Sequence, residues 1–263
     1  MTPTARVVLK LGGELLAEPE QRRDAAAAIG RLAAGAALVV VHGGGPAGDA
    51  ELARRGIAKR AVDGLRVTDA PTLDVVVAML AGQVNTRLVA AARAAGVRAV
   101  GLTAADAGVA AVGRAAPYAA ADGSVVDLEF VGQPEGDAPP ALLETLCAAG
   151  FVPAVASIGA DADGQLLNVN ADTLAGDVAV RFRADRLLVA GGTAGVLDPH
   201  GETLPSIDDA TLEELIADGR ASAGMVAKLN ACRHARRNGV GRVEIVDGRR
   251  TRDLDGRPGS VVA

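Results

Sequence analysis

Two lysines and a group of amide and carboxylate side chains stand out in this chain, because they sit where charge is costly. Lys10 lies near the end of the apolar run Val7 to Leu11, and Lys228 sits in a helical stretch of small and apolar residues. A lysine buried in such surroundings needs a partner. Asn168-Val169-Asn170-Ala171-Asp172 supplies candidates: two carboxamides and a carboxylate where an Ala/Val/Leu-rich helix should begin, a position that favours Asn and Asp as caps. Glycines cluster at Gly12-Gly13, Gly43-Gly44-Gly45 and Gly191-Gly192. Amides without a Cβ approach an anion closely, and a helix N-terminus adds unpaired N–H groups. Together these groups can hold a polyanion. Phosphoryl transfer fits them, since it needs little beyond positioning and neutralisation of charge on the transferring oxygens. A carboxylate acceptor would need no general base, because its reference pKa of roughly 4 leaves it ionised at neutral pH.

Each residue has a plainer alternative. Lys10 could snorkel out from an edge strand, and it is the adjoining glycine pair that shifts the reading toward an anion site. Arg66, in the turn and extended piece Asp63 to Asp69, is either a surface charge or a planar fork for a carboxylate. Gly43, Gly45 and Gly48 satisfy the GxGxxG spacing of dinucleotide binding, but the motif follows the second strand, and the acid at about the right distance, Asp63, does not close a strand. His42 reads as a packed turn histidine in preference to a catalytic base. No GxxxxGK[ST] loop, GxSxG elbow or metal-ligand spacing occurs.

The elements that must position these residues alternate. Strands are expected at Val7 to Leu11, Ala36 to Val41, Val97 to Leu102, Phe151 to Ser157, Leu187 to Ala190 and Arg242 to Val246. Ala-rich or apolar helices are expected between them, which means an α/β fold around a mostly parallel sheet. Val109 to Arg114 and Val125 to Val131 read as a hairpin, and Pro134 to Pro140 as a loop. Pro71 to Ala95 reads as a helix broken near Gly82-Gln83-Val84-Asn85, apolar enough on several sides to be a subunit interface.

Composition narrows the function. The 263 residues are 49% hydrophobic, enough for one large core or two lobes on one sheet. Three Phe, one Tyr, no Trp and a net charge of −5 leave neither stacking platform nor basic surface for nucleic acid. The apolar runs fall short of the ~18 residues that span a bilayer, and no cleavable leader is visible, so a cytoplasmic protein is expected. Cys147 and Cys232 lack metal spacing and are expected to be buried, reduced thiols.

Five segments taken together resemble the acetylglutamate kinases of the amino-acid kinase family. They are Lys10-Leu11-Gly12-Gly13, Val41-His42-Gly43-Gly44-Gly45-Pro46, Gly64-Leu65-Arg66-Val67-Thr68, Ser157-Ile158-Gly159 with the 168–172 pentad, and Gly224-Met225 with Lys228. The resemblance implies a three-layer αβα sandwich around a mainly parallel open sheet, the carbamate kinase-like fold. It also implies ATP-dependent phosphorylation of the side-chain carboxylate of N-acetyl-L-glutamate, the second step of arginine biosynthesis. By the same resemblance Lys10, Lys228 and Asp172 are catalytic, while Gly44, Gly45, Arg66, Asn168 and Asn170 bind the acetylated amino acid. Gly12, Gly13, Gly191, Gly192, Thr193, Gly195, Val196, Arg220, Ala221 and Ser222 bind the nucleotide. Magnesium travels on the ATP phosphates, with no metal site of the protein's own. Residues 1–172 form the acid-binding and dimerisation lobe and residues 173–263 the ATP lobe, on one continuous sheet. A homodimer with little arginine feedback is expected, because the chain starts at its first strand. No membrane or nucleic-acid partner is implied.

Two segments depart from the pattern. Ala190-Gly191-Gly192-Thr193-Ala194 lacks the acidic residue common in relatives, and Ala104-Ala105-Asp106-Ala107-Gly108 replaces a Gly-Lys-Asp-Gly type turn. A kinase for carrier-linked aminoadipate or glutamate shares the fold and lysines but tends to lack the full Ser-Ile-Gly and pentad signatures. A catalytically silent nucleotide or amino-acid binder is opposed by the joint presence of Lys10, Asp172 and Lys228.

Overall fold

The computed structural model describes residues 5–120, 122–198, 200–217, 223–249, 254 and 259–263. The chain opens with β1 (Ala5–Leu11), α1 (Pro19–Ala33), β2 (Ala36–His42), α2 (Gly45–Arg54), β3 (Arg60–Val62), β4 (Leu65–Val67), α3 (Ala70–Val77) and α4 (Asn85–Ala94). The middle holds β5 (Ala99–Thr103), β6 (Ala111–Arg114), β7 (Tyr118–Ala119), β8 (Val125–Val126), β9 (Val131–Glu135), α5 (Ala141–Ala148), β10 (Val152–Ala156), β11 (Ile158–Ala160), β12 (Leu166–Val169) and α6 (Ala171–Arg181). The last part comprises β13 (Arg186–Gly191), β14 (Ser206–Ile207), α7 (Asp209–Ala217), α8 (Ala223–Arg237), β15 (Arg242–Asp247) and β16 (Ser260–Val262).

Eight strands form the main sheet in the order β14-β16-β15-β13-β1-β2-β10-β5. The six from β15 to β5 run parallel, and β16 turns antiparallel to β15 at one end. Both faces are covered, which explains the near-continuous apolar runs. Val8, Val39, Val155, Val189 and Ile245 pack with the α5, α6, α7 and α8 side. Leu9, Leu38, Val40, Ala154 and Leu188 pack with α1 and α4. This alternation makes three αβα layers, and β1 sits at their centre with β13 on one flank and β2 on the other. The carboxyl ends of these strands, where the strand order switches direction, are where open α/β sheets bind ligands. A smaller sheet, β11-β12-β9-β6, and the β3–β4 hairpin are built from residues between 60 and 169.

Three expectations are corrected. The partner of β6 is β9, covering residues Val131–Glu135, so 134–135 is strand and not loop; β7 and β8 make a separate short hairpin nested between them. The helix is not broken at Gly82: a π-helical stretch, Ala78–Val84, carries it through as one 25-residue rod, Ala70–Ala94. A wider turn accommodates the glycine without ending the helix. That rod is long and apolar enough to cross a membrane by length and composition alone, contrary to the reading that every apolar stretch is too short, and 39% of its most apolar window is buried within the chain. Its α4 part packs on α1, β5 and β10, so it is built into the core.

Candidate active site

Lys10 points from β1 to the face that carries α6, and its ammonium meets the Asp172 carboxylate in a 2.9 Å ion pair. Lys10 is 6% exposed. Local rules place Asp172 there. Asn170 caps α6, its side-chain oxygen accepting the N–H groups of Asp172 at 2.9 Å and Thr173 at 3.1 Å, so the helix starts beside the end of β1 with Asp172 in its first turn. The Asn170 carbonyl oxygen is therefore engaged in capping.

Lys228, on α8, arrives at the same place from the other half. Its ammonium lies over Gly191, where a Cβ would come within 2.7 Å of Nζ. Burial pushes its pKa below the ordinary lysine value, nearby Lys10 pushes the same way, and Asp172 and Glu14 oppose them. Asp172 is thus ion-paired with Lys10, and its charge also acts on Lys228, 218 positions after Lys10.

The wall beside them comes from segments between Gly13 and Asn168. Gly44 caps α2, whose first residues are Gly45 and Pro46. A Cβ on Gly44 would meet Leu80 at 2.8 Å, and one on Gly13 would meet Gly44 Cα and Gly45 N at 2.8 Å, so the two glycine turns pack backbone on backbone. Asn168 Nδ2 donates to Thr68 Oγ1 at 3.1 Å, joining segments a hundred residues apart. Arg66 spends Nη2 on Asp49, while its Nη1 is buried without a hydrogen-bond partner. Partial burial works against the Asp49 carboxylate, but hydrogen bonds from Lys59 and Arg66 hold it below its ordinary range. Arg66, Asn168, Asn170, Gly44, Gly45, Lys10, Asp172 and Ser157 line one cavity of about 270 Å³.

The other side is built on Gly12 and the end of β13. Gly12 gives its N–H to Ala190 O at 3.0 Å, continuing the β1–β13 ladder, so it contributes close approach and not a donor. Gly192 N–H donates to Glu14 Oε1 at 2.9 Å. Thr193 Oγ1 donates to Gly195 O at 3.1 Å. Gly195 has φ +125°, and a Cβ on it would meet Ser260 Oγ at 2.7 Å. Val196 packs in the core at 3% exposure and its N–H goes to Ser260 Oγ. Arg220, Ala221 and Ser222 lie outside the described residues.

His42 is fully buried with Nδ1 3.2 Å from Gly43 O, and burial lowers its pKa against the acceptors Gly43 O and Asn85, as for a packed turn histidine. Both cysteines are free; burial pushes the Cys147 thiol up to about 11 and the Cys232 thiol up to about 12. Glu14 and Asp49 were missed by sequence reading. Glu14 directly follows Gly12-Gly13, which was the available signal; nothing local ties Asp49 to Arg66.

The sequence profile of the amino acid kinase family matches residues 5–247. Acetylglutamate kinase of Novosphingobium aromaticivorans is 40% identical over 252 residues, covering 92% of this chain and 83% of that protein. The crystal structure of N-acetylglutamate synthase from Neisseria gonorrhoeae, complexed with coenzyme A and N-acetyl-glutamate, superposes with a TM-score of 0.82 at 26% identity, covering 99% of this chain and 59% of the synthase. Carbamate kinase from Giardia lamblia bound to AMP-PNP shares the fold, with a TM-score of 0.69 at 17% identity over 100% of this chain and 99% of that one. By profile, by identity and by fold, the chain belongs to the amino acid kinase family.

Proposed function

We propose that the protein transfers the γ-phosphoryl group of ATP to the side-chain carboxylate of N-acetyl-L-glutamate, giving N-acetyl-L-glutamyl 5-phosphate and ADP in the second step of arginine biosynthesis. The observation that carries this reading is the single cavity where the Gly64–Thr68 and 168–172 segments, tied through Asn168 and Thr68, meet the Lys10–Asp172 pair. The 40% identical relative bears the name of this activity.

In the proposed step a carboxylate oxygen of the acetylated amino acid forms a bond to the γ-phosphorus as the bond to the β,γ-bridging oxygen breaks and ADP leaves. The attacking oxygen starts as an ionised carboxylate and ends as the acyl-phosphate bridge, while the bridging oxygen takes the electron pair of the broken bond and leaves as an anionic terminal oxygen of ADP; neither carries a proton, so no general base is required. Arg66 presents its buried, unpartnered Nη1 to the α-carboxylate. Lys10 and Lys228 neutralise charge on the transferring oxygens, and Asp172 holds them against mutual repulsion. Residues 1–172 hold the acid and 173–263 the nucleotide. Among the described residues no cluster of three or more His, Cys, Asp or Glu can hold a metal ion. A magnesium ion would arrive on the ATP phosphates and offset their charge, and Glu14 is an exposed hard-oxygen donor on that side. The half-covered rod Ala70–Ala94 is proposed as the contact between two copies, in the cytoplasm.

A coupled ADP-release assay on acetylglutamate, free glutamate and carrier-linked substrates tests this. Turnover with acetylglutamate alone is expected. Preference for a carrier-linked acid would overturn the substrate, and tight ATP binding with no turnover would overturn the catalytic reading.

A further inference from the structure

Glu14 is the second residue of the short 3₁₀ turn Gly13–Leu16 that follows β1, and its side chain reaches across to the end of β13. Oε1 accepts the Gly192 N–H at 2.9 Å. The carboxylate also lies against Gly12 so closely that a Cβ there would collide with it, and its charge acts on Lys228. Glu14 is an exposed residue, so little packing holds the side chain in this position. What holds it is an amide, a Cβ-free approach and a neighbouring ammonium, the features by which a backbone cradle holds phosphate.

We infer that Glu14 is the cradle's own anionic occupant, and that it makes the site discriminate against uncomplexed ATP in favour of the magnesium complex. The inference rests on the phosphoryl-transfer reading above. One N–H at this distance serves one anionic oxygen. An uncomplexed polyphosphate must displace the carboxylate from Gly192 or lie beside it as a like charge. When magnesium offsets the phosphate charge, that repulsion is reduced, and a hard-oxygen carboxylate at the edge of the cradle becomes attractive to the complex. A charge-free side chain of the same shape loses the repulsion and the attraction together.

The test is equilibrium binding by calorimetry with wild type, Glu14→Gln and Glu14→Ala. The titrants are ATP in EDTA, inorganic tripolyphosphate in EDTA, and ATP with excess magnesium. Gln keeps the shape and can still accept the Gly192 N–H, while Ala removes both. The ratio of the Kd without metal to the Kd with metal should fall about tenfold in both variants, the scale of one like-charge contact near a surface. Tripolyphosphate should tighten in parallel, since the repelled group is the phosphate chain. The same ratio in all three proteins would overturn the inference, as would weaker metal-free binding in Glu14→Gln, which would make Glu14 a support of the turn. If wild type turns over acetylglutamate while the ratio stays flat, only the role of Glu14 falls. A wild type that binds no nucleotide and turns over no acid sinks both readings.

Discussion

The two sides of this site are built by different means. The wall proposed for the acid is made of side chains locked to one another: Asn168 to Thr68, Arg66 to Asp49, and Asn170 to the first amides of α6. The wall proposed for the nucleotide is made mostly of backbone brought close by missing Cβ atoms, at Gly12, Gly191 and Gly195, with one exposed carboxylate across it. A side-chain wall reads shape and charge pattern, which a small acid must satisfy to be distinguished from glutamate. A backbone wall reads phosphate, which every nucleotide carries. Specificity should therefore be concentrated on the first side, and substitutions should separate the two.

The largest effect is expected where the sides meet. Lys228→Ala should lower kcat by about 10² to 10³, the usual loss on removing one preorganised group that stabilises transition-state charge, with much smaller changes in either KM. Steady-state kinetics with both substrates checks this; a selective KM effect would move Lys228 out of the chemistry. Its pKa gives a second reading. Burial and Lys10 lower it, so the ammonium deprotonates below the ordinary lysine value of 10.5. The kcat/KM profile of the wild type, which reports the free enzyme, should fall on the alkaline side earlier than a free lysine would, and Lys228→Arg should push that limb upward. The stability sign runs the other way: the unfolded chain binds this proton more tightly, so folded stability rises with pH between the lowered and the ordinary value.

Next is a test of the side-chain wall. Arg66→Lys should raise the acetylglutamate KM by roughly tenfold or more while moving the ATP KM less than about twofold, because a point charge replaces a fork whose second prong is free. Competition by nucleotide and by acid, measured separately, distinguishes this from a general loss. Equal losses would mean the two walls are not independent.

How much of this was legible in the chain follows the same division. Apolar runs ending in glycine gave the order of strands and the mouths of the turns, and the Asn168 to Asp172 pentad gave the start of α6, because caps and turns are local. Pairing was less legible. β6 was matched with the wrong stretch, since the nested β7–β8 hairpin is short and β9 contains Pro134, a residue that argues against strand. The rod through Gly82 was read as broken for want of any local sign of a wider turn. Glu14 carries no local sign of its position, because what decides it is a contact with the Gly192 N–H far along the chain.

A backbone wall should fail differently. Gly195→Ala introduces a Cβ at φ +125°, against Ser260 Oγ at 2.7 Å and Thr203 Cγ2 at 2.8 Å. The expected cost is about 1 to 3 kcal/mol of stability, seen as a lower Tm, with the ATP KM raised several-fold and the acetylglutamate KM little changed. An unaltered Tm would mean that the turn has room to relax, and that its glycine is there for the ligand alone.

The smallest effect is the most diagnostic of the side-chain wall. Thr68→Val keeps the shape of a fully buried side chain and removes the oxygen that accepts from Asn168. A neutral hydrogen bond is worth about 0.5 to 1.5 kcal/mol net, so the loss in kcat/KM for acetylglutamate should be about three- to tenfold. The donor left behind matters more than the bond itself: Asn168 Nδ2 would turn toward the cavity, and the loss should appear in KM for the acid with kcat and the ATP KM nearly constant. If the loss appeared in the ATP KM instead, Asn168 would be serving the phosphate side, and the division of the site into a side-chain wall and a backbone wall would have to be redrawn with the pentad as shared ground.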